Sequence, residues 1–197
     1  MVLISIEGNI GSGKSTLIKK IKEKYPNVVV IDEPVDEWTS ITDDTGVNIL
    51  ERYYADQNRW AFTFQMMAFI TRARRLRGLL NEPIYVTERS VFTDREVFAK
   101  MLRDSGKIHE LEYLIYLRWF NDLSWNIKVD HTIYIDTPPE VCHSRVLSRA
   151  RPGENISLDY LKECHRYHEE WLSKDESKIV NPDDQKLDSL LAPRLCV

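Results

Sequence analysis

An α/β fold built on a mostly parallel sheet is the architecture this sequence predicts, and three observations predict it. Short apolar runs recur at Val2–Ile6, Val28–Ile31, Ile84–Thr87 and Thr132–Ile135, and the segments between them have helical length and period. Strands that alternate with helices form βαβ units, whose crossovers leave neighbouring strands parallel. The first run leads directly into Gly8-Asn9-Ile10-Gly11-Ser12-Gly13-Lys14-Ser15, which fits the phosphate-binding loop pattern G-x-x-x-x-G-K-S/T at every fixed position. At 197 residues and 43% hydrophobic content the chain has apolar material for one core, so it reads as a single domain over residues 1–197.

The elements follow in order. Leu17, Ile18 and Ile21 recur at helical spacing after the loop and predict a helix over Lys14–Lys24. The Val28–Ile31 run is the second strand, and the apolar and aromatic stretch beyond it predicts one long helix over Tyr54–Leu80. Two more helices are expected over Val91–Arg103 and His109–Trp125, then Pro139–Arg149 and Ser157–Ser173, with a weak last strand at Lys178–Val180. The apolar Leu190–Val197 run that ends the chain suggests no role. A formal charge of −4, from 27 Lys+Arg against 31 Asp+Glu, gives no electrostatic reason to expect nucleic acid or an anionic membrane as partner. No apolar span of membrane length and no leader are visible, so a soluble, cytoplasmic protein is expected. Cys142, Cys164 and Cys196 are odd in number and widely spaced, which argues against a disulfide framework.

Ligands of parallel α/β sheets gather at the carboxyl ends of the strands, and charged residues stand at several such ends here. Gly8, Gly11 and Gly13 let backbone N–H groups turn toward phosphate oxygens, with Asn9, Ile10, Ser12 and Thr16 completing the loop. Lys14 supplies a point charge for the outer phosphates, and Ser15 offers a hydroxyl to Mg²⁺. Glu33-Pro34 holds a carboxylate on a stiff turn, suited to taking a proton from an attacking hydroxyl. In Glu88-Arg89-Ser90 the glutamate suits Mg²⁺ and the arginine suits charge on a transferring phosphoryl group. Arg145, Arg149 and Arg151 lead into Pro152-Gly153-Glu154 as a basic lid over about 145–156. Tyr53, Tyr54, Trp60, Phe62, Phe64 and Phe69 make an aromatic stretch in which Gln65 can read a base edge while Phe64 stacks on its face. Cys164, His165 and His168 read as a helix face rather than a metal site.

Together, Gly8–Ser15, Glu33-Pro34-Val35, Arg59–Gln65, Glu88–Arg95 and Arg145–Arg151 closely resemble the deoxyribonucleoside kinases of the deoxycytidine/deoxyguanosine kinase family, over residues 1 to about 173. The resemblance implies a P-loop kinase fold: a five-stranded parallel sheet flanked by helices, with an Arg-rich lid. It implies transfer of the γ-phosphoryl of ATP or another NTP to the 5′-hydroxyl of a deoxynucleoside, in nucleotide salvage, with Mg²⁺ and a homodimer. On matching positions, Glu33 is the expected general base with Arg89 beside it, and Glu88 is tied to Mg²⁺. Tyr54 and Glu154 would hold the sugar 3′-hydroxyl, Gln65 would read the base, Phe64 and Phe98 would sandwich it, and Trp38 and Leu50 would line the same pocket.

Arg72 with Asp94 is the family's combination for deoxycytidine and purine deoxynucleosides over thymidine. Tyr53 stands where mammalian members of the family have a smaller apolar residue. Thymidylate-type nucleoside monophosphate kinases share the P-loop, an acidic-Pro turn and a lid. A monophosphate acceptor needs surplus cations in its site, however, and an Arg72–Asp94 pair neutralises itself. An inactive structural relative would have no reason to keep Lys14, Ser15, Glu33, Glu88 and Arg89 together. The apolar Leu111, Leu114, Ile115 and Trp119 exceed what a lone surface helix needs and suit a core or a dimer interface.

Overall fold

Five parallel strands in the order β2-β3-β1-β4-β5 carry the molecule: β1 (Val2–Gly8), β2 (Val29–Ile31), β3 (Ile84–Glu88), β4 (His131–Ile135) and β5 (Ile179–Val180). This computed structural model describes residues 2–79, 84–151, 153–175 and 178–191. β1 lies at the centre, with Ile6 beside Glu88 of β3 and Glu7 beside Tyr134 of β4. Ile4, Ile6, Ile84, Val86 and Ile133 are fully buried, as strands covered on both faces require.

The helix α1 (Lys14–Lys24) begins right after Gly13, whose φ of 107° only glycine tolerates readily. It lays Ile18 and Ile21 on the sheet. The long helix expected over Tyr54–Leu80 is two helices, α3 (Ile49–Ala55) and α4 (Gln57–Arg77), and Leu80 lies outside the described residues. The break has a local cause. Asp56 leaves helical geometry and its carboxylate accepts from the Arg59 N–H, capping α4. Asn48 caps α3 in the same way through the Glu51 N–H. A short α2 (Val35–Ser40), which the sequence pattern does not announce, follows the Glu33-Pro34 turn.

The helix expected over Val91–Arg103 is present but not uniform: α5 (Val91–Thr93) passes through a π-helical turn (Asp94–Ala99) into α6 (Lys100–Asp104). Helices α7 (Glu110–Ser124), α8 (Pro139–Arg149) and α9 (Leu158–Leu172) match their expected spans within a residue at each end. The tail adds α10 (Asp184–Leu191), which sends Leu187, Leu190 and Leu191 into the core under β1 and α1, while Asp188 pairs with Lys24. The rest of the Leu190–Val197 run, Cys196 included, lies outside the described residues. Cys142 and Cys164 are buried free thiols. Among the described residues, no helix is long and apolar enough to cross a membrane.

Candidate active site

A cavity of about 550 Å³ opens at the carboxyl ends of β1, β2 and β3, bounded by α3, α4, the π turn and the lid. At one end the loop between β1 and α1 contributes Ile10, Gly11, Gly13, Lys14, Ser15 and Thr16. Lys14 is 4% exposed, and its ammonium donates to the carbonyls of Gly8 (3.1 Å) and Asn9 (2.7 Å). Burial lowers its pKa from 10.5 to about 7, helped by Arg89 and only partly opposed by Glu88, Glu33 and Glu7. Asn9 works inside the loop, donating to the Leu161 carbonyl (2.8 Å) and accepting from the Ile10 N–H. The Ser12 carbonyl receives the Thr137 hydroxyl (3.0 Å) and the Arg145 guanidinium (2.9 Å), which ties the loop to α8.

In the middle of the cavity, side chains from four elements converge. Glu33, after β2, accepts from Arg89 Nη1 (2.7 Å) and Arg72 Nη2 (3.1 Å) on one oxygen. Arg72, from α4, also donates through Nε to Asp94 (2.9 Å) and through Nη1 to the Glu88 carbonyl (2.8 Å). Burial alone would raise the Glu33 carboxyl. Arg89, Arg72 and Lys14 outweigh it and hold the group down at about 2. At Asp94 burial prevails over the Arg72 guanidinium and lifts the carboxyl to about 6, so both acids are ionised at neutral pH. Ser15 donates its hydroxyl to Glu88 (3.1 Å), which places a hydroxyl and a carboxylate together at the loop's edge. Arg89 is one of three described non-glycine residues with positive φ, at 61°, a conformation that costs about 1–2 kcal/mol.

At the far end Trp38, Leu50, Tyr54, Phe64, Gln65 and Phe98 line the cavity, all of them residues singled out by the sequence. Trp38 donates its indole N–H to Thr71 (3.0 Å) and meets Phe64 edge to face, with centroids 5.3 Å apart. Gln65 is 2% exposed, and its Oε1 is buried without a partner among the described residues. An unpaired buried acceptor is costly unless a ligand donates to it. In the lid, Arg149 grips Glu154 through Nε (2.9 Å) and Nη2, and Arg151 lies 3.9 Å from the same carboxylate. A Cβ on Gly153 would stand 2.2 Å from Glu51 Cγ, so the lid turn rests directly on α3.

Five lining residues fall outside the sequence-derived site: Asp32, Val35, Tyr53, Ala68 and Tyr160. Tyr53 stacks on Phe64 at 4.6 Å, and its hydroxyl is 2.8 Å from that of Tyr160 on α9. Asp32 lines the cavity next to Glu33, with its carboxylate paired to Lys22 (2.7 Å). Tyr53 was legible as part of the aromatic stretch; Tyr160, more than a hundred residues away, carried no local signal. Outside the cavity, His168 is fully buried with Nδ1 2.7 Å from the Cys164 carbonyl, which is core packing. Asp136, His165 and Glu169 bring ligand atoms within 4.8 Å of one another at the surface.

A family model described as deoxynucleoside kinase matches residues 4–190. The fowlpox virus protein named probable deoxycytidine kinase is 43% identical over 177 residues, covering 87% of this chain and 72% of the relative. Human deoxycytidine kinase is 36% identical over 193 residues, covering 86% and 74% respectively. The mitochondrial deoxyguanosine kinase of Xenopus laevis is 32% identical over 198 residues, covering 89% and 75%. With the match running from β1 to α10 and so enclosing the whole cavity, the chain belongs to the deoxynucleoside kinase family.

Proposed function

We propose that this kinase transfers the γ-phosphoryl of ATP or another NTP to the 5′-hydroxyl of a deoxynucleoside, with deoxycytidine and purine deoxynucleosides preferred over thymidine. The observation that carries the reading is the carboxylate of Glu33, fixed by Arg72 and Arg89 between the phosphate-binding loop and the aromatic end of the cavity. The 5′-oxygen bonds to the γ-phosphorus as the bond to the β–γ bridging oxygen breaks, and the hydroxyl proton passes to Glu33. A carboxyl held at about 2 is a weak base in the ground state but is always ionised. It orients the hydroxyl and takes the proton late, as the phosphoryl group arrives. Arg89 offsets charge on that group, and Arg145, Arg149 and Arg151 close over the donor phosphates.

Ser15 and Glu88 supply adjacent oxygen ligands, the donor set a hard divalent cation takes, so the residues fit Mg²⁺. When bound, the ion would neutralise charge on the β- and γ-phosphate oxygens. The orphaned Gln65 acceptor suits the exocyclic amino group of cytosine or adenine, whereas thymine and guanine both carry a carbonyl there, so preference for deoxyguanosine over thymidine rests on the Arg72–Asp94 pair. The charged Arg72–Asp94 pair likewise stands against a thymine methyl. Tyr54 and Glu154 are the proposed 3′-hydroxyl pair, and Phe64 and Phe98 the base sandwich. Purified protein given γ-labelled ATP, Mg²⁺ and each of the four deoxynucleosides is expected to label deoxycytidine and the purines well above thymidine. Labelling of dTMP but of no nucleoside would overturn this reading in favour of a monophosphate kinase.

A homodimer is part of the same proposal. Leu111, Leu114, Ile115 and Trp119 on α7 are 65%, 51%, 49% and 48% exposed, an apolar face that a second copy would cover. Sedimentation should give the dimer mass, and Trp119→Asp should give the monomer; monomeric parent protein would refute it.

A further inference from the structure

Arg89 bonds Glu33 from a backbone turned out of the ordinary regions, and buried Glu7 is bonded to the residues that follow that turn. Glu7 is fully buried near the end of β1. One of its carboxylate oxygens accepts from the Ser90 backbone N–H (3.0 Å) and the Ser90 hydroxyl (2.9 Å), and the other accepts from the Thr93 hydroxyl. Ser90 and Thr93 already bond each other as the cap of α5, so Glu7 joins both members of that cap from the neighbouring strand. The left-handed Arg89 sits between these bonds and two more. Its own N–H donates to the Ile6 carbonyl (3.0 Å), and its carbonyl accepts from the Thr87 hydroxyl (2.8 Å).

The choice of a carboxylate is informative. Burying a charge among neutral donors is more costly than burying an amide or hydroxyl that would satisfy the same groups. The gain is stronger hydrogen bonds, because an ionised acceptor binds each donor more tightly. That added grip falls on the residue immediately after Arg89, where relaxation to an ordinary φ would swing the guanidinium away from Glu33. Glu7 also directly precedes Gly8, whose carbonyl holds Lys14, so one short segment fixes both the donor lysine and the Arg89 turn.

We infer that Glu7 is a positioning residue for phosphoryl transfer: through Ser90 and Thr93 it locks Arg89 in the left-handed conformation that aims its guanidinium at Glu33. The inference rests on the kinase reading for its kinetic consequence, while its structural half is independent of it. In Glu7→Ala all three bonds are lost, and kcat is expected to fall about 10- to 100-fold, the scale of a sub-ångström to ångström misplacement of a reacting group. The KM for the deoxynucleoside should stay within about 3-fold, since Glu7 does not line the cavity. Glu7→Gln keeps one acceptor and should recover part of the loss. Ser90→Ala, which removes a single hydroxyl and leaves the carboxylate, should cost least and remain folded if the Glu7 variants do not.

The crystal structure of the mildest variant that loses kcat should show Arg89 at negative φ, or its bond to Glu33 broken. Unchanged kcat in Glu7→Ala and Ser90→Ala would overturn the inference. So would lost kcat with Arg89 still left-handed and still on Glu33. If the parent protein transfers no phosphoryl group to any nucleoside, the kinase reading fails instead, and the Arg89 conformation in Glu7→Ala and Ser90→Ala still decides the role of Glu7.

Discussion

The two ends of the cavity hold their cations in opposite ways. At the donor end, buried Lys14 rests on two backbone carbonyls and forms no ion pair among the described residues. In the middle and toward the acceptor end, Arg72 and Arg89 are matched to Glu33 and Asp94 at 2.7–3.1 Å. The first arrangement leaves positive charge unspent in a low-dielectric site, which favours a polyanion over any neutral molecule. The second is already neutralised, so a monophosphate would have to break ion pairs to enter, whereas a nucleoside need only fill space. The contrast explains how one continuous cavity keeps donor and acceptor from exchanging places.

Breaking each half in turn should give the largest effects and should give them in different constants. Glu33→Gln removes the proposed proton acceptor and unbalances Arg72 and Arg89, and kcat is expected to fall about 10²- to 10⁴-fold. Lys14→Ala is expected to lower transfer about 10²- to 10³-fold while leaving deoxynucleoside affinity close to the parent value. Calorimetric titration of both variants with deoxycytidine checks the division. If Lys14→Ala loses the nucleoside as well as ATP, the two ends are one electrostatic unit and the comparison fails.

The same division governs what the sequence reveals. The donor end is made of backbone whose path is dictated locally: glycine at 8, 11 and 13 supplies φ values of 143°, 80° and 107°, so eight consecutive residues announce the site. The acceptor end is made of side chains from α2, α3, α4, the π turn and α9. Glu33 and Arg89 were legible as charged residues at strand ends and Arg72 and Asp94 came from resemblance to a family, but the first and last of the four lie 61 positions apart and no local rule says that they meet. Asp56 illustrates a legible signal overridden by a stronger one, because the apolar pattern runs on either side of a good N-cap and reads as one helix. The α10 repeat of Leu187, Leu190 and Leu191 has helical spacing but is a turn or two long, too short for periodicity to stand out. Glu7 directly follows the apolar Val2–Ile6 run and so is a carboxylate at a strand end. That its side chain turns away from the crevice onto Ser90 depends on the Arg89 turn, which a non-glycine sequence does not advertise.

A smaller effect sharpens the contrast at the donor end. With its pKa lowered to about 7 in the free enzyme, Lys14 is half neutral at that pH and mostly neutral above it. Triphosphate oxygens placed against it favour the charged form and raise that pKa again. Binding must therefore take up a proton wherever the free lysine lacks one: almost none near pH 6, about half a proton near pH 7, and close to one at pH 8–9. By linkage, donor affinity should be flat below that range and decline by up to about tenfold per pH unit above it. Titrating the protein with a non-hydrolysable ATP analogue at pH 8.5, in two buffers of different ionisation enthalpy, measures the uptake directly, and Lys14→Ala should abolish it. The paired Arg72 and Arg89 have pKa values raised by their carboxylates, and Asp94, with its carboxyl near 6, is ionised at pH 8.5, so at that pH the acceptor end should contribute nothing to this signal and deoxynucleoside binding should be proton-neutral. Uptake near zero for the ATP analogue at pH 8.5 would mean that Lys14 keeps its proton despite burial, and the donor end would then hold its full positive charge ready before the triphosphate arrives.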